Sequence, residues 1–236
     1  MRDPFNTEEM SDDEMEIFDQ EMEDFLGLVE SGNCDRVRKI LESDPRWAVA
    51  HDSIFQRVHT DKMARLLLQY GANPNSKGYE GMTPLHLAAY EDSPEIVPAL
   101  IAAGAELDAM DERGCTPLTH SSRSPWGNEI TQMLLEAGAT YTITAAASLG
   151  DIEAVKRFLE DDPQAIEKVP AKDWLFSAAL ITANAPEELQ VPITKLLLEH
   201  YDWGKDFLLQ QSRGRITTKP ELTVLFEEYA EKSQKP

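Results

Sequence analysis

Histidine, cysteine and carboxylate side chains could hold a metal, move a proton or attack a carbonyl, but their spacing in this chain sets up none of these. The five histidines, His51, His59, His86, His120 and His200, form no HExxH pair, and none stands at metal-ligand spacing from a cysteine. Cys115, in the run GCTPL, has no obvious base beside it and reads as a partly exposed hairpin residue, not a nucleophile. No serine sits in GxSxG, and the glycines spell neither a phosphate loop nor GxGxxG after a strand. Carboxylate pairs such as Asp161-Asp162 carry little weight, because 43 acidic residues produce pairs by chance. The irregular stretch 172–236 holds Trp174, Trp203 and Lys205 without an acid–base constellation. The expectation is a protein that is not an enzyme, with no catalytic residue, no metal and no cofactor.

The overall charge narrows the partners. With 22 basic against 43 acidic side chains the formal net charge is -21, which repels phosphate backbones and anionic lipid headgroups. Neither nucleic acid nor a membrane surface is expected as a partner. A basic protein surface would be met faster, although the same charge also serves solubility alone. Two cysteines, Cys34 and Cys115, make no disulfide framework and fit a reducing compartment. The N-terminus MRDPFNTEEMSDDEMEIFDQ is acidic where a secretory signal is apolar, and no stretch approaches the roughly 18 apolar residues of a membrane span. A cytoplasmic monomer is the expectation.

The elements that would position any site repeat. Thr83-Pro84-Leu85 recurs as Thr116-Pro117-Leu118, 33 residues on, and Gly71-Ala72 and Gly81 recur at that separation as Gly104-Ala105 and Gly114. A fainter pair aligns SGNCDRVRKILESDP, from Ser31, on LGDIEAVKRFLEDDP, from Leu149, without a gap. Each unit has a physical logic. Thr83 caps a helix whose first position is Pro84, where a missing N–H costs nothing. LHLAA then gives a short helix whose alanines let a neighbour come close. A second helix follows with apolar residues at helical spacing: Ile96, Val97, Leu100 and Ile101. The same face returns as Met63, Leu66, Leu67; Ile130, Met133, Leu134; Val155, Phe158, Leu159; and Ile193, Leu196, Leu197. Gly71, Gly104 and Gly138 stand where each second helix must stop, a natural place for the left-handed conformation. A single helix pair cannot bury its apolar face, so such units come in arrays.

GxTPLHLAA, followed by a second helix ending in GA and a polar hairpin, resembles the ankyrin repeat. The resemblance is strong over 71–142, good over 143–170 and weaker over 25–70 and 172–203. It implies an all-α repeat, an ankyrin solenoid of about six stacked helix-turn-helix units with short β-hairpin loops and helical caps at both ends. On this reading residues 1–11 are a disordered acidic N-terminus, 12–203 the repeat domain and 204–236 a C-terminal helical cap introduced at ELTVLFEEYA by Pro220. The clearest repeats are 81–113 and 114–142, with degenerate ones over 25–80 and 143–203. TPLTHSS departs from TPLHLAA, the hairpin after Gly138 is shortened, and TANAPEELQVP replaces a tight turn with a long loop. The resemblance gives His86 a structural role, tying neighbouring units by hydrogen bonds, and leaves His120 without one.

The resemblance further implies protein binding, as an adaptor or regulator, on a concave face formed by hairpins and first helices. Carried over, the positions are Lys77, Tyr79, Glu80, Met82, Met110, Glu112, Arg113 and Cys115 on the hairpins and Tyr90, Glu91, Arg123 and Ser124 after the first helices. Aromatic and arginine side chains dominate binding energy, which ranks Tyr79, Tyr90, Arg113 and Arg123 highest; plain solvent exposure is the alternative for the set. Two readings of Trp126 stand: an anchor projecting from its turn, or a ring folded back to seal an irregular unit. The acidic N-terminus is either a solvated tail or an arm for a basic partner. The competing function is an acidic inhibitor or immunity protein that plugs a basic cleft of a toxin or enzyme.

Overall fold

A computed structural model of the chain describes residues 11–51, 54–124, 128–169, 185–200 and 220–232, the side chains of Asn128 and Glu187 excepted. Among them are eleven α-helices and no strand. The chain divides into two compact units, Met1–Asp111 and Glu112–Pro236.

Unit 1 contains α1 (Asp12–Glu30), α2 (Cys34–Ser43), α3 (Asp61–Gln69), α4 (Pro84–Tyr90) and α5 (Val97–Ala102). Ser11 and Glu14 close a capping box on α1: the Ser11 N–H donates to Glu14 Oε2 at 2.9 Å and the Glu14 N–H to Ser11 Oγ at 3.4 Å. Three acids in the first turn, Asp12, Asp13 and Glu14, suit the positive end of the helix dipole. Ser11 is thus the N-cap of a helix and not the last residue of an unstructured tail; residues 1–10 lie outside the described residues. The apolar face of α1 buries Met22, Phe25, Leu26 and Val29. Trp47, in the 3-10 turn Pro45–Ala48, closes on it, with ring centroids 6.1 Å from Phe18 and 5.3 Å from Phe25. Arg57 adds an ion pair with Glu30 at 2.7 Å.

Unit 2 contains α6 (Pro117–Arg123), α7 (Asn128–Ala137), α8 (Ile143–Leu149), α9 (Ile152–Asp161), α10 (Glu187–His200) and α11 (Pro220–Lys232). Its core joins Ile143, Val155, Leu159, Ile193, Leu197, Leu222 and Phe226. The periodic apolar face read from the sequence is the face buried: Met63, Val97, Leu100, Ile130, Leu134, Val155 and Leu197 are each fully enclosed. Burying one such side chain contributes about 2 kcal/mol, and that contribution, more than helix propensity, holds helices of six to ten residues such as α2 to α9.

Threonine starts four of the helices. Thr60 and Thr142 accept from the Met63 and Ala145 amides at 3.3 Å, Thr116 accepts from Thr119 at 3.2 Å, and Thr83 precedes Pro84. Glycine follows the second helices as expected: Gly71 after α3, Gly104 after α5 and Gly138 after α7 have φ of 93°, 85° and 99°.

Two local expectations change. The hairpins carry no strand ladder among the described residues, because the 3-10 turn Tyr79–Gly81 leaves arms too short for one; the Gly78 N–H to Met82 carbonyl bond closes the turn instead. The segment read as the loop TANAPEELQVP is helical from Glu187 onward. Glu188, Leu189 and Gln190 are good helix formers placed just after Pro186, and Pro192 sits inside the helix. Residues 182–184 of that loop, and the cap segment apart from 220–232, lie outside the described residues.

Candidate functional site

In unit 1 the surface is built from two hairpins and the end of α4. Asn75 couples the hairpins: its Nδ2 donates to the Gly104 carbonyl at 3.1 Å, and its Oδ1 accepts from the Glu106 N–H at 2.7 Å. Lys77 Nζ donates to the Met110 carbonyl at 3.5 Å, which sets the two tips side by side. On this frame Tyr79 is 73% exposed, Tyr90 at the end of α4 is 68% exposed and Met110 is 52% exposed. These large groups stand well out of the core, on turns fixed by several hydrogen bonds. Lys77 and Glu91 are exposed and Glu80 half-buried beside them.

Not every expected residue reaches that surface. Met82 is buried, and so is its counterpart 33 residues on, Cys115, which is fully enclosed and not a partly exposed hairpin residue. Both immediately precede a threonine N-cap, and the chain entering a helix there turns that side chain inward. In unit 2, Glu112 and Arg113 are exposed, and Arg123 and Ser124 half-buried. Trp126 lies outside the described residues, as do Trp174, Trp203 and Lys205.

The histidines sort by environment. His86 is buried, and its Nδ1 accepts the Thr83 N–H at 3.1 Å, with Thr83 Oγ1 at 2.8 Å. A backbone N–H can only donate, so Nδ1 is unprotonated and the proton sits on Nε2. These bonds lock the start of its own helix. In α6 Thr119 takes the equivalent place and meets Thr116 through its hydroxyl at 3.1 Å. The sequence shows no histidine paired with a cysteine, yet the fold brings the His120 ring and Cys115 Sγ within 4.8 Å, both buried.

Hydroxyls also replace alanines in the body of α6. Ser121 and Ser122 are fully buried, donating to the Leu118 and Thr119 carbonyls at 3.2 Å, while Thr131 of α7 donates to Ser121 Oγ at 2.9 Å.

Sequence reasoning passed over Asp92. Its φ is 55°, and Glu80 at 54° is the other left-handed residue besides glycine among those described. The turn after α4 matches those after α1 and α8: the next N–H reaches back five residues in each, Ser93 to Ala88, Asn33 to Leu28 and Asp151 to Ala146, at 2.9 to 3.0 Å. At the left-handed position the other two turns have Gly32 and Gly150. The signal was available, because laying Glu91-Asp92-Ser93 over Leu149-Gly150-Asp151 puts the aspartate on the glycine.

Comparison with known proteins agrees with this architecture. The family model "Ankyrin repeats (3 copies)" matches residues 28–111 and 50–145, together half of the chain. Over 97 residues the chain is 32% identical to the inactive serine/threonine-protein kinase TEX14 of Bos taurus, covering 39% of this chain and 6% of that protein. It is 35% identical over 90 residues to protein fem-1 homolog A of Danio rerio, covering 32% and 15%. Potassium channel KOR2 of Oryza sativa subsp. japonica is 39% identical over 61 residues, covering 26% and 8%. The chain therefore spans no more than 15% of the length of these relatives. No helix among the described residues is long and apolar enough to cross a membrane. Ankyrin repeats are general protein–protein interaction modules, and with half its length matched, its helix pairs stacked and its TPL-capped turns in place, this chain belongs to the ankyrin-repeat family.

Proposed function

We propose that the chain is a non-enzymatic, cytoplasmic, monomeric adaptor or regulator that binds a partner protein through its hairpin and first-helix surface. The observation that carries this reading is the exposure of Tyr79 and Tyr90, 73% and 68%, on turns that are otherwise tightly hydrogen-bonded. Tyrosine loses little conformational freedom on contact and offers both an apolar ring and a hydroxyl, which suits it to the centre of an interface. Lys77, Glu80, Glu91 and Met110 frame the pair in unit 1; Glu112, Arg113 and Arg123 are the corresponding positions in unit 2. Trp126 keeps its two readings.

A second reading, an inhibitor plugging a basic cleft of a toxin or enzyme, is favoured by the net charge of -21. Affinity capture from the native source separates the outcomes, comparing wild type with a Tyr79→Ala/Tyr90→Ala/Arg113→Ala variant shown to be folded by circular dichroism. A partner held by wild type and lost by the variant supports the surface. Equal recovery rejects it. A captured cationic enzyme whose activity the chain abolishes at sub-nanomolar concentration favours the inhibitor.

A further inference from the structure

The chain closes the same Thr-Pro-Leu helix start in two ways. At α4 the imidazole of His86 does it: Nδ1 accepts the Thr83 N–H at 3.1 Å and lies 2.8 Å from Thr83 Oγ1. At α6 Thr119 does it with a hydroxyl, 3.1 Å from Thr116 Oγ1, while its own N–H donates to that oxygen at 3.2 Å. One cap is built on a group that takes up a proton near neutral pH; the other is not. A proton on Nδ1 sets donor against donor. The Thr83 hydroxyl can turn to accept it, but the Thr83 amide cannot. His86 is also fully enclosed, so an imidazolium there gives up its hydration. Within unit 1, α5 and the 3-10 turn Ile54–Arg57 pack against α4, and neither brings a carboxylate. Their charged group is Arg57, a cation held by Glu30 at 2.7 Å. On the turns flanking α4, Lys77 and Glu91 are exposed and Glu80 is half-buried.

We infer that His86 makes the interaction surface of unit 1 acid-labile: protonation releases the start of α4, loosens the hairpin leading into it, and weakens the hold on the partner. This rests on the reading of unit 1 as a protein-binding surface and adds its regulation. In the open chain this histidine takes up a proton below about 6.5, the ordinary imidazole value. In the closed one the acceptor nitrogen is occupied and the ring resists the proton. The closed form is therefore fully supported above that pH, and the open form gains up to about tenfold for each pH unit below it. Both exposed tyrosines are tied to this cap. Tyr90 is the last residue of α4. The bond from the Gly78 N–H to the Met82 carbonyl, which closes the Tyr79 turn, ends one residue before Thr83. With seven residues, α4 keeps little helix once its first turn opens. Partner affinity then falls in proportion to the closed fraction.

The test uses the full chain, as wild type and as His86→Thr, which copies the hydroxyl cap of α6. Amide hydrogen exchange over residues 83–90, corrected for the intrinsic pH dependence of exchange, is read from pH 7.5 to 5.0. Wild type is expected to lose protection about tenfold per pH unit below about 6.5, and His86→Thr to stay flat. His51 and His59 are exposed and common to both proteins, so their titration cancels in the comparison. Equal loss in the two proteins, or none in wild type, overturns the inference. Should the variant not fold, nitrogen NMR of the His86 ring in wild type decides. A closed-form ring that stays neutral with its proton on Nε2 while the α4 signals weaken supports the device. A ring that titrates near 6.5 with those signals intact overturns it. The partner captured at pH 7.5 then separates this inference from the reading beneath it. If the partner depends on Tyr79, Tyr90 and Arg113 but α4 exchange ignores pH, the surface stands and the acid device falls. If exchange shows α4 predominantly open in acid and the partner stays bound, the device stands and the surface reading falls.

Discussion

Two stretches of this molecule have the same local structure in different surroundings: Gly32 to Pro45 in unit 1 and Gly150 to Pro163 in unit 2. In each, a left-handed glycine, φ 70° and 79°, is followed by a side chain that caps a helix. Asn33 accepts from the Arg36 N–H at 3.2 Å, and Asp151 from the Ala154 N–H at 2.9 Å. Helices of ten residues follow, each ending on an extended aspartate, Asp44 or Asp162, that accepts a backbone N–H two residues on. The backbones match because these choices are settled within a few residues. The neighbours differ. A Cβ on Gly32 would meet nothing within 4 Å, whereas one on Gly150 would lie 2.8 Å from the Ala185 Cα and 3.0 Å from Pro186 Cδ. One glycine serves backbone conformation alone; the other also lets a later segment pack against it.

The largest expected effect breaks that difference directly. Gly150→Val should destabilise by about 4 kcal/mol, combining left-handed strain with a backbone collision, while Gly32→Val should cost about 1–2 kcal/mol. Urea midpoints compared between the two variants check this, and equal losses would remove Ala185 from the account.

The caps come next. Asn33→Ala should cost about 1 kcal/mol and Asp151→Ala about 2 kcal/mol, because Asp151 also accepts the Tyr141 hydroxyl, at 3.2 Å. Burial, then the charge of Asp151 and its hydrogen bond, push the Tyr141 phenol up to about 12. The native phenol keeps its proton where the unfolded one, near 10.0, has released it. Stability from this tyrosine is therefore intact below pH 10.0 and is lost as pH climbs through about 12. Absorbance titration of the phenolate should show that Asp151→Asn lowers the midpoint.

The smallest effect lies at the two C-terminal aspartates. The Arg46 guanidinium bonded to Asp44, and the Lys168 ammonium bonded to Asp162, hold both carboxyls below their ordinary value of 3.8. Their stabilisation is present above that value and disappears as pH falls through the lowered ones. Carboxyl carbon NMR titrations should find both midpoints depressed, with Arg46→Ala restoring Asp44 alone and Lys168→Ala restoring Asp162 alone.

What the sequence reveals follows from the range of the interaction that decides each feature. Thr83, Thr116 and Thr142 announce first helices, and Gly71, Gly104 and Gly138 mark the ends of second ones, because caps and left-handed turns are settled over a handful of residues. The apolar stripes were equally legible, since one helix period is enough to define a face. Met82 and Cys115 were misread because the inward turn of a residue before an N-cap depends on what packs behind it. The meeting of Cys115 with His120 was hidden for the same reason. Of the surface, Tyr79 and Tyr90 were readable from repeat position, and Asp92 from the glycine of the matching turn, but the left-handed backbone at Glu80 is a property of dihedral angles that residue types alone do not display.

The buried hydroxyls of α6 bear on how the chain finds its own partners while folding. Units that repeat the same Thr-Pro-Leu start offer several near-equivalent ways to pair one helix with another, and apolar faces accept many of them. The Thr131 to Ser121 bond joins two particular residues in a dry environment. A slip of one turn, or the choice of another repeat's helix, would take the Thr131 hydroxyl from its partner at a cost of about 1–3 kcal/mol, while Ser121 keeps its bond to the Leu118 carbonyl. The bond thus acts as a key, adding little adhesion but penalising mistaken pairings among look-alike segments.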